Sequence, residues 1–357
     1  MKLTAAILAL GLLAGCGSQR GNDGADGADG TDGMSDASSM TMDVNDLYGD
    51  PMPYARTITS KELSDYLYEY ADDKYEGRMT GEPGQKMAVD WLRDQYKRMG
   101  IAGGMKNGSY FQPIPASYFR RVNKDSENVL AFIEGSEKPE EIVVISAHLD
   151  HVGMEDGEIF NGADDDGSGT VALLEIAEAF QKAKDEGKGP KRSILLLHVT
   201  AEEIGLVGSR YYSENPVYPL ANTVSNLNVD MIGRIDPRHE DNPDYVYLIG
   251  TDRLSTDLHK LSEATNKRYF NMNLDYKYNA KDDPERIYFR SDHYNFAKNN
   301  IPVIFYFNGV HADYHKPSDT PDKIEYDLLA RRAQLIFATA WEVANRKDRL
   351  VVDGTNE

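Results

Sequence analysis

Two short runs of the chain are apolar at every position rather than at every second position. They are Ile142-Val143-Val144-Ile145 and Ile194-Leu195-Leu196-Leu197. A strand that is apolar on both faces must be covered on both faces, which is typical of a largely parallel sheet between two layers of helices. These runs therefore predict a three-layer α/β/α fold with a central mixed, mostly parallel sheet.

The apolar spacing of the rest of the chain agrees with this architecture. Short apolar runs predict strands at residues 128–133, 141–147, 193–200, 224–231, 245–249 and 302–307. Helical spacing predicts helices at residues 60–75, 82–99, 168–183, 206–213, 254–265, 292–299 and 328–343. The alternation of the two patterns predicts one α/β domain at residues 54–357.

The N-terminus has the pattern of an export signal. Lys2 precedes an apolar stretch, residues 3–14, that is too short to span a bilayer. Leu13-Ala14-Gly15-Cys16 resembles a bacterial lipobox, which predicts a signal peptide at residues 1–15 and a lipid on Cys16. The alternative is an ordinary signal peptide with an incidental cysteine. Because Gly17 is not the aspartate associated with inner-membrane retention, we expect an outer-membrane anchor that faces the periplasm.

Residues 16–53 are predicted to be a flexible tether. They are rich in Gly, Asp and Ser and contain few large apolar residues, so they cannot bury enough surface to fold. A calcium-binding repeat is the alternative, but the period and apolar positions of such repeats are missing.

Charge and cysteine content exclude several functions. The net charge of −20 argues against a sequence-independent nucleic-acid binder. Cys16 is the single cysteine, so the domain has no disulfide, no thiolate ligand and no cysteine nucleophile. The oligomeric state is not predicted.

Polar clusters follow the predicted strands, at the end of the sheet where α/β proteins bind ligands. The clusters are His148-Leu149-Asp150-His151, residues 161–169, Glu202-Glu203, Asp230 and residues 314–320. His148 and Asp150 are two residues apart on an extended backbone, so the carboxylate could orient the imidazole.

Three adjacent aspartates, Asp164, Asp165 and Asp166, repel one another. A helix dipole compensates about 0.3–1 kcal/mol, enough for one carboxylate and not three, so we expect a bound cation. Glu202 and Glu203 should diverge at a strand end, so that one binds metal and the other faces water as a general base. Two histidines and several carboxylates without thiolate suit zinc and also tolerate cobalt or manganese.

The remaining histidines receive structural interpretations. His198 lies in an apolar run and is predicted to be a core residue, and His239 and His259 are predicted to lie on the surface. Three others could line the pocket: His151, His293 and His311.

The ordered motifs together resemble those of metallopeptidase family 28. The motifs are His-x-Asp, Gly-Ala-Asp-Asp-Asp-x-Ser-Gly, Glu-Glu, Asp-Met and His-x-x-x-Asp-Thr, with Ser291-Asp292-His293 also matching. The similarity covers residues 128–324. This family includes bacterial leucyl aminopeptidases and glutamate carboxypeptidases, so the domain is identified as a zinc peptidase of zinc-exopeptidase fold.

The resemblance implies two zinc ions per chain. Asp165 would bridge both ions, one of which would also bind Glu203 and His315 while the other would bind His148 and Asp230. Its two aspartate neighbours would not be ligands.

The resemblance also implies catalytic roles. Glu202 would be the general base, Asp150 the partner of His148, and Tyr314 a stabiliser of the oxyanion. The expected function is an aminopeptidase acting on peptides. The alternatives are a single-zinc glutaminyl cyclase of the same fold and a non-catalytic binding ectodomain. The sequence does not decide between amino- and carboxypeptidase specificity.

Overall fold

The computed structural model describes residue 42 and residues 46–355. The predicted signal peptide, the lipobox with Cys16 and most of the predicted tether lie outside these residues. Contacts group residues 41–357 into one unit. Among the described residues, none of the helices combines the length and apolar character that crossing a bilayer requires.

Helices and strands alternate through much of the described chain. The helices are α1 (Met52–Ala55), α2 (Ser60–Tyr70), α3 (Pro83–Arg98), α4 (Gly169–Asp185), α5 (Val207–Glu214), α6 (Thr256–Tyr269), α7 (His293–Ala297) and α8 (Tyr326–Asn345). The strands are β1 (Ala102–Gly103), β2 (Phe111–Ile114), β3 (Ser126–Ile133), β4 (Lys138–His148), β5 (Gly153–Glu155), β6 (Glu158–Phe160), β7 (Arg192–Val199), β8 (Thr223–Val229), β9 (Tyr245–Ile249), β10 (Asn273–Asp275) and β11 (Val303–Phe307).

Among the described residues, the main sheet has nine strands in the order β1-β3-β7-β4-β8-β11-β9-β10, with β2 paired to β3. The four central strands β7, β4, β8 and β11 are parallel. β3 and β9 join them antiparallel, one on each side. The parallel part of the sheet is thus its centre, and the carboxyl ends of four neighbouring strands meet at one edge.

The two faces of the sheet carry separate cores. Val143 and Ile145 of β4 pack into a core shared with α2, α3, α4, α6 and α8, whereas Ile142 and Val144 pack into a second core with residues of α5 and α7. These four strand side chains are buried, so each face needs its own helical layer. The predicted three-layer α/β fold is confirmed.

Local sequence signals begin the helices where the structure places them. Thr59 caps the start of α2, because its hydroxyl oxygen accepts the backbone N–H of Glu62 while its hydroxyl donates to the Glu62 carboxylate. Ser255 caps α6 through the N–H of Leu258. The predicted helix 60–75 ends earlier, at Tyr70.

Contacts with α8 begin before residue 54, where the sequence predicts the domain to start. Leu47 is buried, the N–H of Tyr48 donates to Glu342 at 2.6 Å, and the indole of Trp341 donates to the carbonyl of Tyr48. The reason is that one apolar side chain and two hydrogen bonds to α8 hold a segment whose composition alone suggests a linker.

Candidate metal centre

The four parallel strands bring the predicted ligands together at their carboxyl edge. His148 is the last residue of β4, and Asp230 directly follows β8. Glu203 lies in the turn after β7, and His315 lies in the loop after β11. Asp165 is in the irregular turn that leads into α4.

Asp165 occupies the middle of this group. Its Oδ1 lies 3.1 Å from Nε2 of His148, and the same nitrogen lies 3.6 Å from Oδ1 of Asp230. Its Oδ2 lies 3.1 Å from Nε2 of His315, and that nitrogen lies 3.1 Å from Oε2 of Glu203. The two oxygens of one carboxylate therefore face two different pairs of ligand atoms.

The spacing of these atoms fits zinc. Zinc holds nitrogen and oxygen ligands at about 2.0–2.2 Å, so neighbouring ligands on a tetrahedron lie about 3.3–3.6 Å apart. The separations around both imidazole nitrogens are 3.1–3.6 Å, close to this range although three of the four are slightly shorter. The donor set of imidazole and carboxylate without thiolate is also one that zinc accepts.

The neighbours of Asp165 are committed elsewhere. Oδ1 of Asp164 accepts the N–H of Gly233, and its Oδ2 lies 3.1 Å from His311. The Asp166 carboxylate accepts three backbone N–H groups, from His148, Gly169 and Met231. Asp166 is also within reach of a cation shared with His148 and Asp230. Because backbone donors already occupy three of the roughly four acceptor positions of the Asp166 carboxylate, Asp165 is the better ligand.

The pKa values of the ligand side chains depend on their contacts with one another. Burial lowers the pKa of His148, but Asp165 and Asp230 outweigh burial and raise that pKa well above its usual value. Burial raises the pKa of Asp165, but His148 and His315 outweigh burial and lower it well below its usual value. A buried carboxylate that stays charged between two imidazoles is suited to binding a cation.

Glu202 lines the cavity beside the centre, whereas Glu203 is not among the residues that line it. Burial raises the pKa of the Glu202 carboxyl well above its usual value, against the opposing effect of His148. The two neighbouring glutamates thus have different surroundings. Glu202, which lines the cavity, can accept a proton there. Glu203 instead contacts His315 and lies 2.8 Å from His151.

Asp150 contacts His148 through its main-chain oxygen and not, as predicted, through its carboxylate. Nδ1 of His148 lies 3.0 Å from the main-chain oxygen of Asp150, whereas the Asp150 carboxylate is 3.8 Å away. That carboxylate accepts the N–H of Glu202 and the hydroxyl of Thr80. Burial raises its pKa to about 6. The side chain of Asp150 therefore fixes the backbone of the predicted base.

Other histidines fall in varied places. The predicted core position of His198 is confirmed, because it is buried and lies 2.6 Å from the hydroxyl of Tyr96. The predicted surface position of His239 is wrong. It is buried and stacks on Tyr245 at 3.5 Å, because Asp236 accepts from its ring.

Two positioning residues were not predicted as such. Ser291, noted only as part of a motif, donates to Oδ2 of Asp230 at 2.6 Å and so leaves the other oxygen free to face His148. Arg78 was missed entirely. Its buried guanidinium donates to the carbonyls of Leu149, Tyr70, Asn161 and Gly162.

Arg78 joins the segment that follows His148 to the segment that precedes Asp165. Leu149 follows His148, and Gly162 precedes Asp165 by three residues. No signal in the sequence indicates such a contact, since its acceptors are main-chain carbonyls.

A cavity opens directly beside the centre, and we call it the apolar pocket. The space between its lining residues, including open solvent at the mouth, is about 440 Å³. Its lining joins Asp165, Glu202 and Asp230 to Met231, Ile287, Arg290, Phe305, Phe307, Val310 and Tyr314. The ring of Tyr314 stacks on His315 at 3.9 Å, and burial raises the pKa of its hydroxyl above the usual value. That hydroxyl therefore stays protonated and can donate a hydrogen bond.

Comparison with known proteins places these motifs in a family. The model described as Peptidase family M28 matches residues 128–340, a segment that contains every predicted site residue. A probable glutamate carboxypeptidase of Arabidopsis thaliana is 40% identical over 29% of this chain and 14% of that protein. A probable leucine aminopeptidase of Arthroderma otae is 27% identical over 83% of this chain and 76% of that protein.

Solved structures share the fold. The LapA aminopeptidase of Legionella pneumophila superimposes with a TM-score of 0.66 at 20% identity, covering 90% of this chain and 81% of that one. The glutaminyl cyclase of Porphyromonas gingivalis superimposes with a TM-score of 0.62 at 20% identity, covering 79% of this chain and 97% of that one. At these identities the structural likeness shows a common fold and does not separate a peptidase from a cyclase.

The sequence-based predictions of a metallopeptidase family and of an enzyme of that class are confirmed at the level of the family. The family model covers more than half of the chain, and the chain belongs to peptidase family M28.

Proposed function

We propose that this chain is an aminopeptidase that binds two zinc ions. One observation carries the proposal: the two oxygens of Asp165 face two separate ligand pairs, His148 with Asp230 and His315 with Glu203. A single-zinc cyclase needs one such set. The family and its relatives named leucine aminopeptidases support zinc hydrolase chemistry.

The side chains around the pocket can carry out hydrolysis. Zinc held by these ligands would polarise the scissile carbonyl and lower the pKa of a water molecule toward about 7. Glu202, whose pKa is raised by burial, accepts a proton from the attacking water. It then delivers this proton to the nitrogen of the leaving amine as the C–N bond breaks.

Two further residues support this step. The hydroxyl of Tyr314, which lines the pocket, donates to the oxygen of the tetrahedral intermediate. Asp150 fixes the backbone of Glu202 through the N–H of that residue. Met231, Ile287, Phe305 and Phe307 give the pocket apolar walls that can contact a side chain of the substrate.

A matched pair of variants tests the base. Glu202→Gln should bind two zinc ions per chain like the wild type and lower kcat for leucine p-nitroanilide by about 10²-fold or more, since general base catalysis contributes about 10²–10⁴-fold. The control Glu158→Gln changes an exposed glutamate of the β5–β6 hairpin and should keep wild-type kcat. Unchanged turnover in Glu202→Gln contradicts the assignment.

The substrate series separates the alternatives. An aminopeptidase releases leucine from the free anilide but not from N-acetyl-leucine anilide, whereas a carboxypeptidase trims N-acetylated peptides from the other end. One zinc per chain together with cyclisation of N-terminal glutamine would identify a cyclase. Absence of bound zinc and of turnover would identify a binding domain.

We also propose, from the sequence alone, that the chain is exported and anchored through lipidated Cys16 to the outer membrane, facing the periplasm. The motif Leu13-Ala14-Gly15-Cys16 supports this proposal. Cys16→Ser should then release the protein from the membrane fraction of cells. Retention of this variant in membranes would contradict the anchor.

A further inference from the structure

Among the described residues that line the apolar pocket, Arg290 alone carries a positive charge. Its side chain is exposed at the mouth of the pocket. Its backbone N–H donates to the carbonyl of Ile287, but no described residue forms a hydrogen bond or an ion pair with its guanidinium. The guanidinium is therefore free to bind a ligand.

Neighbouring arginines are used differently. Arg286 packs on the ring of Phe289 at 4.8 Å. Arg253 packs on Tyr288 at 3.9 Å and donates to the carbonyls of Asn279 and Ala280. These two guanidinium groups have structural partners within the same region of the chain, which sets Arg290 apart.

The charges around the pocket leave Arg290 uncompensated once metal is bound. The other charged residues of the lining are Asp165, Glu202 and Asp230. With Glu203, they would balance the charge of two zinc ions. The remaining positive charge, that of Arg290, then lies beside apolar walls and close to where the substrate is cleaved.

We propose that Arg290 forms a subsite for a carboxylate of the substrate, so that the enzyme prefers anionic short peptides. The inference rests on the proposed aminopeptidase function. A guanidinium binds a carboxylate through two parallel hydrogen bonds, and such charge-assisted bonds are stronger than neutral ones. The walls formed by Met231, Ile287, Phe305 and Phe307 contact the aliphatic part of the substrate while the mouth holds its charge.

A peptide substrate can carry this carboxylate at two positions, and matched pairs of substrates distinguish them. It belongs either to the side chain of an N-terminal glutamate or to the C-terminus of a dipeptide. The pair glutamyl and glutaminyl p-nitroanilide differs in the first group alone. The pair Leu-Gly and Leu-Gly-amide differs in the second group alone.

The test compares kcat/KM within each pair for the zinc-loaded wild type and three variants. In the wild type, kcat/KM for the carboxylate substrate of one pair should exceed kcat/KM for its carboxamide by about tenfold or more, as expected for a charged hydrogen bond. In Arg290→Gln this ratio should fall close to one, and in Arg290→Lys most of it should return. Arg286→Gln, which alters the stacked arginine nearby, should keep the wild-type ratio. Thermal melting of each variant reports on its folding.

Each result decides the inference. A wild-type ratio near or below one in both pairs overturns it, and so does a ratio that Arg290→Gln leaves unchanged. A ratio lost equally in Arg286→Gln also overturns it, because the effect would then not belong to Arg290. Failure of the proposed function is a different result: the zinc-loaded wild type would not hydrolyse leucine p-nitroanilide or any member of the pairs.

Discussion

Replacing Arg78 by lysine should loosen the metal centre without removing any ligand. The guanidinium donates to Leu149 at 3.3 Å, Tyr70 at 3.2 Å, Asn161 at 2.7 Å and Gly162 at 3.0 Å. A lysine ammonium keeps the charge, but it is compact and cannot reach all four of these carbonyls at once. We expect it to leave about two of them without a donor.

The magnitude follows from those two carbonyls. A buried acceptor without its partner costs about 1–3 kcal/mol, so Arg78→Lys should lose roughly 2–6 kcal/mol of stability. The two segments that Arg78 joins follow His148 and precede Asp165. Changes in residues that orient metal ligands weaken metal binding by about 10–100-fold, and we expect a rise in the zinc dissociation constant of that size.

Arg192 offers a matched control. It is equally buried, donates to the carbonyls of Val343 and Arg346 and pairs with Glu141, but it lies at the start of β7, at the opposite end of that strand from the centre. Arg192→Lys should therefore lose stability without a change in zinc affinity. The measurements are urea unfolding of both metal-free variants and zinc titration against a competing chelator. Equal zinc affinity in the two variants would refute the positioning role of Arg78.

Two more predictions concern single side chains. Ser291→Ala removes the donor to Oδ2 of Asp230 and should weaken the binding of one of the two zinc ions about tenfold or more. The control Ser193→Ala, at the far end of the sheet, should weaken the binding of neither ion. Loss of both ions together in a zinc titration would contradict this. Burial, with Glu62 and Glu178, raises the pKa of Glu175 to about 8 from a usual 4.5. The stability that this proton contributes is complete below pH 4.5 and declines up to about pH 8. Glu175→Gln should therefore melt at a higher temperature than the wild type at pH 8.5, and this difference should be smallest at pH 4.5. A difference that does not depend on pH would contradict the raised pKa.

The sheet and the position of the centre could be predicted from sequence because they depend on local patterns. Runs such as residues 142–145 fix strands buried on both faces, and parallel neighbours end at one edge. Polar residues that follow such strands must then lie close together. The predicted ligands are brought together in this way, although their binding of metal remains a prediction.

The supporting contacts could not be predicted because their partners are backbone groups. Asp150 accepts the N–H of Glu202, and Arg78 donates to carbonyls far along the chain. Neither contact has a pattern of residue types. Tyr48 lies within residues 16–53, predicted to be a tether, for a similar reason: its hydrogen bonds to Trp341 and Glu342 depend on how α8 is placed.

Anomalous scattering at the zinc edge, from crystals of the zinc-loaded protein, tests the two-metal centre most directly. We expect two peaks that share Asp165, one beside His148 and Asp230 and the other beside His315 and Glu203. One peak at saturating zinc, or a peak bound by Asp166 instead of Asp165, would contradict it.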